Sequence, residues 1–343
     1  MIDGSMDSDL DKLDRHLYFL NKKIKFSLVN PLNLEEEKKK VFADSSYNPK
    51  LVYKTSPYNL FDLRKELMEL HFDDSLFGKL LHHKRNELLK TVMMLEHIGT
   101  PRFTACALNL YGRPSKDLVQ KARTLLTLPA EEEEGHYQGM SSVKKFLDAM
   151  LHQGLQWKVK EREMVAGASF DVGEKILFIH PKRRFSENDL KRLVVHEIGT
   201  HITRAENAKK RRHKLFLIGF PNYLMTEEGL AVYMEEKAGL LSNAILKRYA
   251  GRVVAVDLSL QRSFSSVYTT LCEYFPKEDA FTITMRTKRG MSDTSTPGAL
   301  TKDYFYLQGY YQVKEYIKKG GSLDALYVGK VGIEHVPFLK YLK

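Results

Sequence analysis

The stretch SENDLKRLVVHEIGTHITRAENA, residues 186–208, carries two histidines and a glutamate in the order His196, Glu197, His201. Ser186 stands three residues before Asp189, an arrangement that starts a helix because each side chain can serve the other's backbone N–H. All three residues would then sit on one helix. Each residue turns a helix by about 100°, so histidines at i and i+4 share a face, whereas the i and i+5 spacing found here separates them by roughly 140°. One cation could be shared only if the helix widens locally, as a one-residue π-bulge does. Gly199, inside HEIGTH, eases such a deformation. Two unrelated helix histidines, each satisfied by its own hydrogen bonds, are the competing reading unless a third ligand exists.

A candidate lies on the next helical stretch. After Gly219–Pro221, NYLMTEEGLAVYMEEKAG (222–239) reads as a second helix beginning near Thr226 with acidic residues in its first turn. Two histidines from one helix and a carboxylate from a following helix form the gluzincin ligand set, which leaves a fourth zinc position open for water. The glutamate next to the first histidine is the general base in such sites. EEGLAVY resembles the NEGFA stretch that supplies the third ligand in zinc aminopeptidases, and that resemblance, not periodicity, prefers Glu228 over Glu227. The alternative is that both acids merely complement the helix dipole.

Composition bounds the rest. The chain has 343 residues, 43% hydrophobic and 28% charged, with 18 Phe and 18 Tyr, which suits one large or two closely packed domains and excludes wholesale disorder. Its two cysteines, Cys106 and Cys272, are too few for a disulfide framework and read as small buried hydrophobes. Apolar runs such as LFLIGF (215–220) fall short of the roughly 20 residues that span a bilayer. The start, MIDGSMDSDLDKLD, lacks a secretory pattern, its GSM triplet has the look of an expression scar, and a cytoplasmic protein is expected. A net charge of +11 favours an acidic partner.

Residues 1–30 read as an N-terminal extension, 31–140 as a helical region, and 141–343 as the catalytic region packed as one unit with it. EEEKKK (35–40) suits an exposed helix face. Between Leu60 and Ile98, apolar residues at helical spacing (Leu63, Leu67, Leu70, Leu80, Leu81, Leu88, Val92, Leu95) predict a helical hairpin hinged near Asp73 to Ser75. Short helices between Gly and Pro breaks follow in 99–126. Glu131 to Glu134 reads as a solvated loop or helix start, and 141–152 as a further helix. VKEREMV and KILFIH then read as strands separated by GASFDVGE as a turn. The fold class is therefore α+β, mainly helical, with a small sheet beside the HExxxH helix.

HEIGTH together with TEEGLA resembles the QEGLA-motif family, which includes the tubulin-tyrosine carboxypeptidases, also called microtubule-associated tyrosine carboxypeptidases. The similarity extends to PLNLEEEKKK, YNPKLVY, GTPRFTACALNLYGRP, FSENDLKRLVVHEIGTHITR and RTKRGMSDTSTPGALTKDYFYLQGYY. Members are gluzincin-like, zinc-dependent enzymes that remove a C-terminal tyrosine from a protein tail. Carried over, the family pattern implies Zn²⁺ held by His196, His201 and Glu228, with Glu197 catalytic. Glu227 stands where many members have Gln, a departure that adds negative charge beside the metal. The target protein does not carry over.

A carboxypeptidase also needs a cation for the terminal carboxylate, Arg by preference because its planar fork pairs bidentately, and a donor for the tetrahedral oxyanion. Arg286, Arg289 and Lys302 are the candidates for the first role and Tyr306 for the second. KILFIH, just before the metal helix, is the candidate edge strand for pairing with substrate backbone. AKKRRHK (208–214) reads either as a solvated face or as a patch that could draw in an acidic tail such as that of tubulin. No membrane and no specific nucleic acid is expected as a partner, since no nucleic-acid-binding motif is present. The competing functions are a noncatalytic, metal-stabilised basic binding protein and a zinc endopeptidase or aminopeptidase.

Overall fold

Side-chain caps set the helix starts of the N-terminal half. The structure, a computed structural model, describes residues 9–130, 135–152, 154–165, 167–171 and 173–342. Helix α1 (Asp9–Lys23) is followed by α2 (Leu34–Ala43), α3 (Leu60–Met68), α4 (Leu76–Glu96), α5 (Phe103–Tyr111), α6 (Lys116–Leu126) and α7 (Met140–His152). Asn59, Ser75 and Ser115 cap α3, α4 and α6 by accepting from N–H groups that a helix leaves unpaired. Ser75 is thus the hinge expected between α3 and α4, whose buried Leu63, Leu67, Leu80, Leu81 and Leu88 share a core with Leu17 and Leu20 of α1.

Several expectations change. The first 30 residues include α1, which docks on the body through Asp11, paired with Arg212, and Asp14, which accepts from the Lys214 N–H. Glu37 in EEEKKK is buried, accepting from Lys40, the Tyr47 hydroxyl and the Lys50 N–H, so α2 does not present a uniformly exposed charged face. Both cysteines are half-buried and unpaired. Glu131 to Glu134 lies outside the described residues, as does the GSM triplet.

The sheet is small and its topology corrects the strand assignment. β1 (Lys158–Glu161), β2 (Ala168–Asp171) and β3 (Ile176–Ile179) lie in the order β1-β3-β2, with β1 parallel and β2 antiparallel to β3. The expected turn GASFDVGE therefore contains a strand. KILFIH supplies β3, which is paired on both sides and has no free edge for a substrate. The outer edge beside the metal helix belongs to β2, whose Phe170 ring stacks on His201 at 5.3 Å. Leu177 and Ile179 of β3 bury against Phe146 and Met150 of α7 and against Ile198 and Ile202, which ties the sheet to the metal helix.

The remainder is helical: α8 (Glu187–Leu193), a π-helix (Val194–Ile202), α9 (Thr203–Lys209), α10 (Leu215–Ile218), α11 (Tyr223–Lys237), α12 (Asn243–Ser259), α13 (Phe264–Cys272), α14 (Lys277–Lys288), α15 (Phe305–Lys318) and α16 (Leu323–Leu326). Leu118 and Ala122 of α6 share a core with Val253, Val254, Phe281 and Leu307. Among the described residues, no helix is long and apolar enough to cross a membrane. Helix α11 begins at Tyr223, with Asn222 in a left-handed conformation (φ 59°) before it. Its start is earlier than expected, so Glu227 and Glu228 fall beyond the first turn and the dipole explanation for them loses its footing.

Glu228 is held in depth by a backbone contact. Where α11 crosses α15, a Cβ on Gly229 would lie 2.0 Å from the Gly309 carbonyl carbon, and one on Gly309 would lie 2.0 Å from the Met225 carbonyl oxygen. Neither obstacle is a flexible side chain, so the helices would have to separate. Gly229→Ala is expected to cost about 2–3 kcal/mol of stability by overpacking, measured by equilibrium denaturation. An unchanged midpoint would mean that the crossing does not fix the depth of α11.

Candidate metal centre

The metal helix starts as its sequence implies. Ser186 accepts from the Asp189 N–H while the Asp189 side chain accepts from the Ser186 N–H, a reciprocal cap that fixes the entry of α8. From Val194 to Ile202 the backbone widens into π form, in which hydrogen bonds reach five residues back. The widening thus covers a nine-residue segment rather than a single inserted residue. Two hydroxyls follow the same spacing: Thr200 Oγ1 donates to the Val195 carbonyl at 3.1 Å and Thr203 Oγ1 to the Ile198 carbonyl at 2.8 Å. Gly199 is not sterically required, because a Cβ there would make only an ordinary 3.8 Å contact with the Val194 carbonyl.

This widening brings the two imidazoles together edge-on, with centroids 4.9 Å apart. His196 Nε2 and His201 Nε2 lie 3.9 and 3.8 Å from Glu228 Oε2, and one ligand atom from each of the three residues lies within 4.8 Å of the others. All three side chains are buried. Two nitrogen donors and one carboxylate oxygen, gathered so closely, suit a divalent cation with a fourth position left open.

Each histidine is oriented from behind. His196 Nδ1 is 2.7 Å from Glu235 Oε1, and Glu235, itself fully buried, accepts from Arg192 at 3.0 Å and the Tyr249 hydroxyl at 2.8 Å. His201 Nδ1 is 3.0 Å from Glu227 Oε1. The other Glu227 oxygen pairs with Arg204 Nη1, while Arg204 Nε and Nη2 donate to the carbonyls of Leu326, Gly329 and Val331. A carboxylate can only accept, so both rings donate from Nδ1 and present the Nε2 lone pair toward Glu228.

Electrostatics agree with this arrangement. Burial raises Glu227, but Arg204 and His201 outweigh it and hold the carboxyl at about 2. The extra acid in TEEGLA is thus neutralised by Arg204 and spent on His201; it does not add an uncompensated charge to the His196, His201 and Glu228 cluster. Burial likewise opposes ionisation of Glu228, and Lys302 foremost keeps its pKa below the usual carboxylate range. Lys302 Nζ donates to Glu228 Oε1 at 3.0 Å, which leaves Oε2 toward the histidines.

The other expected residues divide. Glu197 and His196 line a cavity of about 80 Å³ with Tyr306, Arg286, Arg252, Arg192 and Arg183. The Tyr306 ring stacks on His196 at 6.2 Å and on Tyr249 at 5.6 Å. Arg286 pairs with Asp303 through Nε and Nη2 and reaches the Tyr306 hydroxyl at 3.5 Å. Arg289 instead donates to Asn30 at 3.1 Å and lies over Phe26. The AKKRRHK run is largely occupied: Lys209 pairs with Glu206, and Arg212, His213 and the Lys214 N–H engage Asp11 and Asp14. A second cavity, about 660 Å³, is lined by Lys302, Lys84, Lys330, Tyr223 and Thr226.

Sequence reasoning missed Glu235, Arg192, Arg204 and Tyr249. Helical spacing offered a signal for two of them, since Glu235 follows Glu228 by two turns on α11 and Arg192 precedes His196 by one. The contacts of Arg204 and Tyr249 are long-range and left no local pattern. Glu235→Gln is expected to weaken divalent-metal binding by about 10- to 100-fold, as measured by chelator competition; unchanged affinity would show that His196 does not depend on this support.

The sequence model of the family described as MATCAP, microtubule-associated tyrosine carboxypeptidase, matches residues 39–343. Microtubule-associated tyrosine carboxypeptidase 1 of Rattus norvegicus is 30% identical over 161 residues, covering 44% of this chain and 33% of that protein. The Homo sapiens protein of the same name is 30% identical over 159 residues with the same shares. The Homo sapiens putative tyrosine carboxypeptidase MATCAP2 is 31% identical over 169 residues, covering 46% of this chain and 31% of that protein. The matched part thus spans about a third of the length of these curated relatives. With the family match running over nearly all of its length, the chain belongs to the microtubule-associated tyrosine carboxypeptidase family.

Proposed function

We propose that the protein is a zinc-dependent metallocarboxypeptidase of the gluzincin type that removes a C-terminal tyrosine, or another aromatic residue, from an acidic polypeptide tail such as that of tubulin. The observation that carries this reading is the convergence of His196, His201 and Glu228 beside Glu197 at an arginine-lined cavity. Zinc bound there would polarise the scissile carbonyl and lower the pKa of a water toward about 7. A purely structural zinc site closes with four protein ligands, whereas the cluster among the described residues has three.

The chain's own groups then divide the work. Glu197 takes the proton of the attacking water and returns it to the departing amine. Tyr306 donates its hydroxyl hydrogen to the developing oxyanion. Burial and the nearby Glu228 carboxylate push the Tyr306 pKa up, so the hydroxyl keeps its proton at neutral pH. Arg286, fixed by Asp303, steadies that hydroxyl. Lys302 holds Glu228 in one orientation and also lines the larger cavity, where Lys84 and Lys330 would face the acidic chain leading to the scissile bond. By analogy with gluzincins, the outer edge of β2 would pair with the substrate backbone.

Metal analysis combined with tyrosine release from an acidic peptide tests the reading. One zinc per chain and release reduced by at least about 1000-fold in Glu197→Gln, an effect of the size expected for a general base or more, are the predicted results. Zinc without release from any free C-terminus would contradict the carboxypeptidase assignment.

A further inference from the structure

If the protein is a carboxypeptidase, a charge near Glu197 must receive the terminal carboxylate, and the cations at the cavity are not equally available. Arg192 is committed to Glu235 and Arg286 to Asp303, while Lys302, which lines the larger cavity, is committed to Glu228. Two arginines on the same wall differ. Among the described residues, Arg252 and Arg183 have no carboxylate or carbonyl at bonding distance; their guanidinium groups lie over aromatic rings instead. The Arg252 group is 4.3 Å from the Tyr306 centroid and 5.0 Å from that of Tyr249, and the Arg183 group is 5.8 Å from that of Phe185.

We propose that Arg252, with Arg183, forms the anchor for the substrate's terminal α-carboxylate. The inference rests on the carboxypeptidase reading and assigns the part of the site which that reading leaves open. Stacking on a ring face leaves the in-plane N–H fork of a guanidinium available, and that fork matches a carboxylate. Burial pushes the Arg183 pKa down against the pull of Asp279 and Asp189, neither of which lies at bonding distance.

The local packing keeps these donors beside the chemistry. Arg252 rests on Tyr306, the ring that also stacks on His196, so one side chain connects the anchor to the metal helix. Gly167 leaves space for Arg183, because a Cβ there would lie 3.2 Å from Arg183 Cδ and 3.3 Å from Phe185 Cε1. The cavity of about 80 Å³ that these residues line is of a size that suits a carboxylate group. In a C-terminal residue the carboxylate is attached to the same Cα as the scissile nitrogen, so its anchor must stand beside the general base, as these two residues do.

The test uses the zinc-loaded full chain carrying Glu197→Gln, so that binding is read without turnover. An acetylated Glu-Glu-Tyr peptide is compared with its C-terminal amide by calorimetric titration, in this background and with Arg252→Met, Arg252→Lys or Arg183→Met added. The background protein is expected to prefer the free acid by about 100-fold, the scale of a charge-assisted bidentate pair. Arg252→Met should reduce that preference to tenfold or less, Arg183→Met should reduce it partly, and Arg252→Lys should retain an intermediate value. Unchanged binding of the amide verifies that the variant site is folded, and the Lys variant reports on the fork if the Met variant does not fold. Full acid preference in both Met variants would overturn the anchor while leaving the carboxypeptidase reading intact. No acid preference in the background protein, with equal hydrolysis of acid and amide when Glu197 is present, would overturn both.

Discussion

On a regular α-helix, side chains five residues apart point roughly 140° away from each other, and the site of this protein depends on overcoming that divergence. The π-form segment from Val194 to Ile202 does so, with the Thr200 and Thr203 hydroxyls bonded to carbonyls five residues back. The other supports act around this segment. Helix α11 sets the depth of Glu228 through the Gly229–Gly309 contact, and β2 lays Phe170 against His201.

The buried ion pairs are arranged so that nearly every charge has a task. Arg192 and Tyr249 hold Glu235 for His196; Arg204 holds Glu227 for His201; Lys302 holds Glu228; Asp303 holds Arg286 beside Tyr306. Buried pairs of this kind give little net stability, since the cost of desolvation offsets the attraction, but removing one partner strands the other. Their value here is geometric. Each fixes which atom of a neighbouring group faces the cavity, and Arg252 and Arg183 stand out because, among the described residues, no carboxylate lies at bonding distance of either.

The grouping of His196, His201 and Glu228 was more legible from sequence than the wiring behind it. His196, Glu197 and His201 announce themselves by order, and the need for a widened helix follows from their spacing. Ser186 and Asp189 likewise define the helix start by a local rule. The β2 strand was hidden because GASFDVGE is rich in turn-forming residues and too short to alternate visibly, and its pairing with β3 is a tertiary fact. Charge runs misled for a related reason: AKKRRHK looks like a solvated patch until Asp11 and Asp14 arrive from α1. Arg286, Arg289 and Lys302 looked equivalent in sequence, yet α14, its C-cap and the 3-10 turn before α15 aim them at Asp303, Asn30 and Glu228 in turn. Sequence spacing could bring them into one neighbourhood but could not say which charge would remain available.

The most direct test of the central claim is a crystal structure of the zinc-loaded protein with anomalous data at the zinc edge. The account predicts one peak about 2.0–2.2 Å from His196 Nε2, His201 Nε2 and a Glu228 oxygen, with Val194 to Ile202 still in π form. A peak held by other residues, or a return of this segment to α-helical form with His201 turned away, would contradict it.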